Sequence, residues 1–422
     1  MYQTLELFPG ITLRSICTDR FKQGVLSVQF LRPMKRQEAA LNALIPELLL
    51  RGCETAPDLR QITARLDDLY GASVGAQVRR VGDYQTMGLG CRFIEDRFAL
   101  PGDRVLEPMV EFLGQLLFCP VREKGIFCRE FVRSEKKNLI SALEAQRNDK
   151  QAYASGKLLK NMCKGDSYAV PRLGQISDVR RITPASAFAH YQKVLTESPV
   201  EIFYVGSASI QQVAALLKPV FGKLERELTP LPLQSVFVPG KKSCRSETME
   251  IAQAKLAMGF VTPITYGDPR FAAMQLCNCI FGSGQTSKLF MQVREKRSLC
   301  YAIGSGYYGS KGLVTVFAGI DTCRFEETKE AILKQLLACQ QGAVTQQELD
   351  AAKEAVLSGL RAIYDSPGAM ESFFSTTAIS GMNRSPEVYA DEIRRVSVAD
   401  VVEAANTISF HSSFFLKGVN HE

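Results

Sequence analysis

Gly24-Val25-Leu26-Ser27-Val28-Gln29-Phe30-Leu31-Arg32-Pro33 reads as a strand that stops at a proline. Its apolar residues flank Gln29 with the alternation of a half-buried strand, and the closing Pro33 cannot donate to a ladder. Ala254-Lys255-Leu256-Ala257-Met258-Gly259-Phe260-Val261-Thr262-Pro263 repeats the pattern. Phe260 follows Phe30 by 230 residues, and Pro263 follows Pro33 by the same interval. Carried on without a gap, this offset sets Gly282 against Gly52 and Ala302 against Ala72. Each copy continues as strand, helix, turn glycine, helix and a strand bearing Tyr and Gly. The repetition predicts two homologous halves, each about 200 residues long.

Residues 223–244 separate the halves. They hold Thr229-Pro230-Leu231-Pro232 and Pro239-Gly240-Lys241-Lys242-Ser243, carry no sustained period, and read as a linker. The expected domains are therefore 1–222 and 245–422. Helix starts are marked at Thr183-Pro184, where a capping residue precedes a proline, and at Thr345-Gln346-Gln347-Glu348 and Ser397-Val398-Ala399-Asp400, which have capping-box spacing. Strands and helices mix with hairpin-like pairs, so the expected class is α+β, mixed sheets with helices layered on them.

The chain has 422 residues, 46% hydrophobic and 23% charged, an ordinary globular composition. A net charge of +7 is spread along the sequence rather than clustered, which argues against a nucleic-acid site and fits peptide-like or mildly acidic partners. No apolar run is long enough for a membrane helix, and Met1 to Gly10 lack the basic start and apolar core of a secretion signal. Twelve scattered cysteines without a Cys-x-x-Cys pair then read as reduced thiols of a cytoplasmic protein. The histidines number three: His190, His411 and His421. That scarcity disfavours any zinc site built from imidazoles.

The most informative stretch is Phe281-Gly282-Ser283-Gly284-Gln285-Thr286-Ser287-Lys288-Leu289-Phe290, followed by Val293-Arg294-Glu295-Lys296-Arg297-Ser298-Leu299-Cys300-Tyr301. A Gly-x-Gly turn opens a helix with a basic end, and the chain then enters a strand. The spacing matches neither a dinucleotide fingerprint nor a P-loop, because Leu289 follows the lysine.

This stretch closely resembles the C-terminal domain of the M16 (pitrilysin, mitochondrial processing peptidase-like) peptidases. Gly165-Asp166-Ser167-Tyr168, Pro171, Gly174, Ser186, Tyr191 and Val205-Gly206 resemble that family's N-terminal domain. The resemblance spans nearly the whole chain. It implies a duplicated LuxS/MPP-like metallohydrolase fold whose two like domains face each other across a cleft.

Active members of the family carry His-x-x-Glu-His on a helix. Two imidazoles on one face bind zinc and the glutamate polarises the attacking water. The corresponding run is Ala43-Leu44-Ile45-Pro46-Glu47. Ala43 and Glu47 stand at the histidine positions, Pro46 at the catalytic glutamate, and the third ligand falls near Ala142. One carboxylate cannot hold a catalytic zinc, so no cofactor is expected in this chain and none of its residues is expected to be catalytic by itself. His190 reads as a structural residue.

The family's other contribution is retained. Arg294 and Tyr301, seven residues apart, match the pair that contacts substrate near the scissile bond. Arginine offers fixed charged donors, and a tyrosine hydroxyl can stabilise an oxyanion. Spacing alone favours a helix-end arginine and a packed tyrosine, and the surrounding motif reverses that reading. Lost zinc with a retained pair resembles the zinc-less bacterial M16-like proteins, which are paired with a zinc-bearing homologue. The resemblance implies the substrate-contacting, non-catalytic subunit of a heterodimeric peptidase acting on peptides or unfolded polypeptides. The alternative is a structural or peptide-binding scaffold with no catalytic partner. Cys300, beside Tyr301, would be reactive if Arg294 or Arg297 stabilised its thiolate, but no histidine partner for a cysteine nucleophile is identifiable.

Overall fold

The computed structural model describes residues 2–235, 237–382 and 384–418. The chain divides into two compact units, each built on its own sheet.

The first unit comprises residues 1–144, 170–233 and 363–376. Its strands are β1 (Tyr2–Phe8), β2 (Ile11–Cys17), β3 (Gln23–Pro33), β4 (Ser73–Val81), β5 (Tyr84–Ile94) and β6 (Val200–Gly206), in the order β1-β2-β6-β3-β5-β4. Only β2 and β6 run parallel; the other pairings are antiparallel. Central β3 is almost wholly buried, Ser27 and Gln29 included, rather than half-buried as its alternation predicts. The Arg36–Leu49 helix buries Ala40, Leu44, Ile45, Leu48 and Leu49 in the same core as Val28, Phe30, Met87 and Leu89 of the sheet. At about 25 cal/mol per Å² of apolar surface, each such large side chain contributes roughly 1.5–3 kcal/mol, so this helix is fixed by its buried face.

The second unit comprises residues 145–169, 234–362 and 377–422. Strands β7 (Ser243–Met249), β8 (Ala254–Val261), β9 (Ala302–Tyr308), β10 (Leu313–Ile320) and β11 (Ser409–Gly418) form a sheet ordered β9-β10-β8-β11-β7. Read from its other edge, the first sheet has the same order and directions: β4-β5-β3-β6-β2. In both, the outer pairing (β2 with β6, β7 with β11) is the parallel one. The two sheets are thus topological copies.

Register refines the offset. Phe30 pairs with Met87, and Met87 with Val78; Phe260 pairs with Val314, and Val314 with Tyr307. From Phe30 to Phe260 the interval is 230, but from Val78 to Tyr307 it is 229. The second copy has one residue fewer between these strands, so Ala302 corresponds to Ser73, and Tyr301 takes the place of Ala72. The expected alignment of Ala72 with Ala302 is out by one residue.

The units are also not the contiguous halves 1–222 and 245–422. Residues 145–169 belong to the second unit and 363–376 to the first. The Lys150–Met162 helix buries Ala154 and Leu158 against Ala257, Phe414 and Leu416. Gly259 admits this helix closely: a Cβ there would lie 2.5 Å from Met162 Sδ. Asp166 and Tyr168, from the run that resembles an N-terminal-domain motif, serve the second unit. Asp166 Oδ2 lies 3.0 Å from the Nζ of fully buried Lys311, and Tyr168 Oη lies 2.9 Å from Ser310 Oγ. In the first unit, Glu371 of the 363–376 segment is buried and accepts hydrogen bonds from Ser27 Oγ at 2.7 Å and Arg79 Nη2 at 2.8 Å.

Capping boxes form at Thr183 and Ser397, and Thr345 exchanges bonds with Glu348 as its spacing predicts. No described helix is long and apolar enough to cross a membrane.

Candidate functional site

Two places carry the expected chemistry, one in each unit. In the first, the Arg36–Leu49 helix carries the positions that the family resemblance sets against zinc ligands. Ala43 and Pro46 are buried in the core, while Glu47 is solvent-exposed. Partial burial, and then the charge of Glu135, raise the Glu47 carboxyl above the usual carboxylate range. Glu135 comes from the Arg129–Asn148 helix and is itself buried. Its Oε1 lies 2.8 Å from Arg51 Nε, and Arg51 also donates to Ser134 Oγ at 2.5 Å. Ala142, seven residues farther along that helix, is exposed.

These residues do not fit a catalytic zinc. Ala43 offers a methyl group and Pro46 no base. Of the two carboxylates near each other, Glu135 already faces a guanidinium, so the positive charge that a cation would bring is supplied by the protein. Among the described residues, no three His, Cys, Asp or Glu side chains gather as metal donors. Sequence reasoning named Ala142 and passed over Glu135. The signal for Glu135 was its place two helical turns before Ala142, which puts both on one side of the helix.

His190 lies next to this helix but offers no ligand. Its Nε2 is 2.7 Å from Asn42 Oδ1, and Asn42 Nδ2 donates to Gln85 Oε1 at 2.9 Å. Because Asn42 Oδ1 is the acceptor, His190 Nε2 carries the hydrogen. Burial drives the imidazole pKa down to about 4; Glu38 opposes this, while Arg32 and Lys193 reinforce it. The ring is thus a neutral, hydrogen-bonded part of the core, as its sequence reading expects.

In the second unit the Gly-x-Gly stretch is not an ordinary helix start. Residues Cys279–Ser283 and Leu289–Glu295 form wide π-type turns, a geometry that recurs at functional sites. Gly282 packs so tightly that a Cβ would lie 2.6 Å from Leu289 Cδ1 and 2.7 Å from Ser305 Oγ. Lys288 pairs with Glu348 at 2.7 Å. The second wide turn closes with Lys296 N donating to Met291 O at 3.1 Å.

Ser298 then reverses the chain with φ at +49°, unusual for a residue bearing a Cβ. Its amide donates to Arg294 O at 3.0 Å, and the Leu299 amide to Val293 O at 3.1 Å. Tyr301 N donates to Gly319 O at 2.9 Å, which ties the exit of the turn to β10. Arg294 and Tyr301 therefore stand on either side of one closed turn.

Arg294 is half-buried. Its guanidinium lies over the Phe290 ring, 4.6 Å from the centroid, with Nε 3.6 Å from Glu295 Oε1. Tyr301 is 63% exposed, and its hydroxyl donates to Asp321 Oδ1 at 3.2 Å. An arginine and a tyrosine so placed present a charge and a hydroxyl to solvent from a rigid turn, an arrangement able to hold a peptide carbonyl or carboxylate. Cys300 is buried between them in sequence. Burial lifts its thiol pKa to about 11 although the Arg294 charge pulls it down, so it stays protonated and is no nucleophile.

The family model described as "Peptidase M16 inactive domain" matches residues 181–356. The "Probable inactive metalloprotease YmfF" of Bacillus subtilis (strain 168) is 29% identical over 409 residues, 97% of this chain and 96% of that protein. The crystal structure of a conserved protein from Enterococcus faecalis V583 superposes with a TM-score of 0.89 at 28% identity, covering 100% of this chain and 99% of that one. A peptidase M16 inactive domain from Pseudomonas fluorescens shares the fold, with a TM-score of 0.83 at 19% identity over 99% and 98% of the two chains. By the family model over residues 181–356 and the likeness to YmfF over nearly its whole length, the chain resembles M16-type proteins described as inactive.

Proposed function

We propose that this chain is the non-catalytic, substrate-contacting subunit of a heterodimeric M16-type zinc peptidase. The observation that carries the reading is a contrast. Of the positions matched to zinc ligands only Glu47 offers a donor, while Arg294 and Tyr301 are solvent-accessible on a turn closed by Ser298 at positive φ. An unfavourable backbone geometry is retained where the side chains it aims have work to do. Zinc and the water-polarising base come from a partner homologue carrying His-x-x-Glu-His. This chain supplies a guanidinium to orient the substrate backbone and a hydroxyl for the developing oxyanion. The substrate class is peptide or unfolded polypeptide, and the compartment is the cytoplasm, where its cysteines stay reduced.

The test is co-purification of the tagged chain from its native cell, followed by peptidase assays of the chain, the partner and the mixture. Activity confined to the mixture supports the reading. A chain that recovers no M16 homologue and stimulates none would favour the scaffold alternative. Local partners of the pair, Glu295 for Arg294 and Asp321 for Tyr301, are the observations on that side.

A further inference from the structure

The turn that carries the pair is gripped at two points by one short segment of the same unit. Asp321 Oδ1 accepts the Tyr301 hydroxyl at 3.2 Å. Three residues on, Arg324 Nη1 donates to the carbonyl of Ser298 at 3.1 Å. The two gripping residues are joined, with Arg324 Nε 3.9 Å from Asp321 Oδ2. The segment itself is anchored, because Arg324 N donates to Asp321 O at 3.0 Å in a short helical turn that directly follows β10. The strained residue and the exposed hydroxyl thus answer to one rigid support.

The chemistry is specific. A residue with a Cβ at positive φ is held there only if its surroundings over-determine it. Backbone bonds fix the Ser298 amide, and the only described side-chain donor to its carbonyl is the Arg324 guanidinium. Tyr301 in turn donates its hydroxyl hydrogen to Asp321 in a long bond of 3.2 Å, which orients the ring and which a developing oxyanion can displace.

We infer that Asp321 and Arg324 are positioning residues of the Arg294–Tyr301 turn. They set its geometry and, on the reading that the pair contacts substrate, set how tightly an extended polypeptide is held. Neither residue touches the substrate. Asp321 orients the tyrosine, and Arg324 stabilises the reversal at Ser298.

The experiment uses the full chain and four proteins: wild type, Arg324→Gln, Ser298→Gly and the double variant. Hydrogen exchange of the Ser298 and Leu299 amides reports the turn, and fluorescein-labelled β-casein, an unfolded polypeptide, reports binding by anisotropy. In Arg324→Gln, exchange should quicken about three- to tenfold and β-casein affinity should fall by a similar factor, the loss of one charge-assisted hydrogen bond at a partly exposed site. Glycine adopts positive φ freely, so the same Arg324 change made in the Ser298→Gly background should have much less effect on both readouts. A support that merely stabilises the fold would show no such suppression. Arg324→Lys, which keeps a donor, should restore most of the wild-type behaviour. Unchanged exchange in Arg324→Gln, or equal effects in both backgrounds, would overturn the inference. Faster, glycine-suppressible exchange with unaltered β-casein binding would uphold the positioning role and instead count against a substrate role for Arg294 and Tyr301. Asp321→Asn, which keeps an acceptor but no charge, should leave the Ser298 amide protected and disturb only binding.

Discussion

Arg51 Nε lies 2.8 Å from Glu135 Oε1, near the helix positions that the family resemblance sets against zinc ligands. The guanidinium neutralises one of two neighbouring carboxylates, and the other, Glu47, is held towards its protonated form by partial burial and by Glu135. The pocket is therefore balanced without a metal. The dialysed chain should carry far less than one zinc per molecule by metal analysis. Restoring the ligands with Ala43→His, Pro46→Glu and Glu47→His should give tight zinc binding only when Arg51→Ala is added to release Glu135. One tightly held zinc in the wild-type chain would contradict this.

Breaking the ion pair from one side should also cost stability. Arg51→Met leaves buried Glu135 with an uncompensated charge, and urea unfolding should show a loss of about 2–4 kcal/mol. Replacing both residues, Arg51→Met with Glu135→Leu, should recover most of it, because an apolar pair avoids the desolvation penalty altogether.

His190 makes stability depend on acid. Its folded pKa, about 4, lies below the ordinary value of 6.5, so the unfolded chain takes up the proton first. The contribution is fully present above pH 6.5 and is lost as pH falls from there towards 4. Linkage sets the loss at about 3 kcal/mol at most, at roughly 1.4 kcal/mol per pH unit. Denaturation at pH 7 and pH 4.5 should show this decline in wild type. His190→Gln, which can still donate to Asn42, should flatten it. An identical decline in both proteins would remove His190 as the cause.

Glu371 tests whether residues 363–376 are integral to the first unit. Arg79→Ala would leave its buried carboxylate, among the described residues, with hydrogen bonds from Ser27 and Gln29. A loss of about 2–4 kcal/mol is expected. Arg79→Ala with Glu371→Gln should be milder, since a neutral amide costs less to bury.

The sheets were legible because their information is local. β3 and β8 are both mainly apolar stretches that lead to a proline, Pro33 and Pro263, and the shared 230-residue offset identifies the repeat. The one-residue slip at Ala302 was not legible, since a one-residue difference in length between strands leaves no periodic trace. Nor was the exchange of segments. The sequence of Lys150–Met162 shows an amphipathic helix, but not which sheet Ala154 and Leu158 will cover. Arg294 and Tyr301 are marked in the sequence by their spacing and the surrounding motif. Glu135, Asp321 and Arg324 were missed because their roles arise from contacts between elements far apart in sequence: Arg51 with Glu135, Ser298 with Arg324, and Tyr301 with Asp321.

The central claim is that Arg294 and Tyr301 act on substrate held at a partner's zinc. The most direct measurement is steady-state peptide hydrolysis by a complex of this chain with the zinc-bearing homologue of the same cell, comparing wild type with Arg294→Ala and Tyr301→Phe. A charge-assisted hydrogen bond made in the transition state is worth about 1.5–3 kcal/mol, so Arg294→Ala should slow turnover roughly 10- to 150-fold with little change in unfolding midpoint. Tyr301→Phe should slow it in the same direction. Full activity in both variant complexes, or loss of activity that tracks unfolding of the Arg294→Ala chain, would contradict the account.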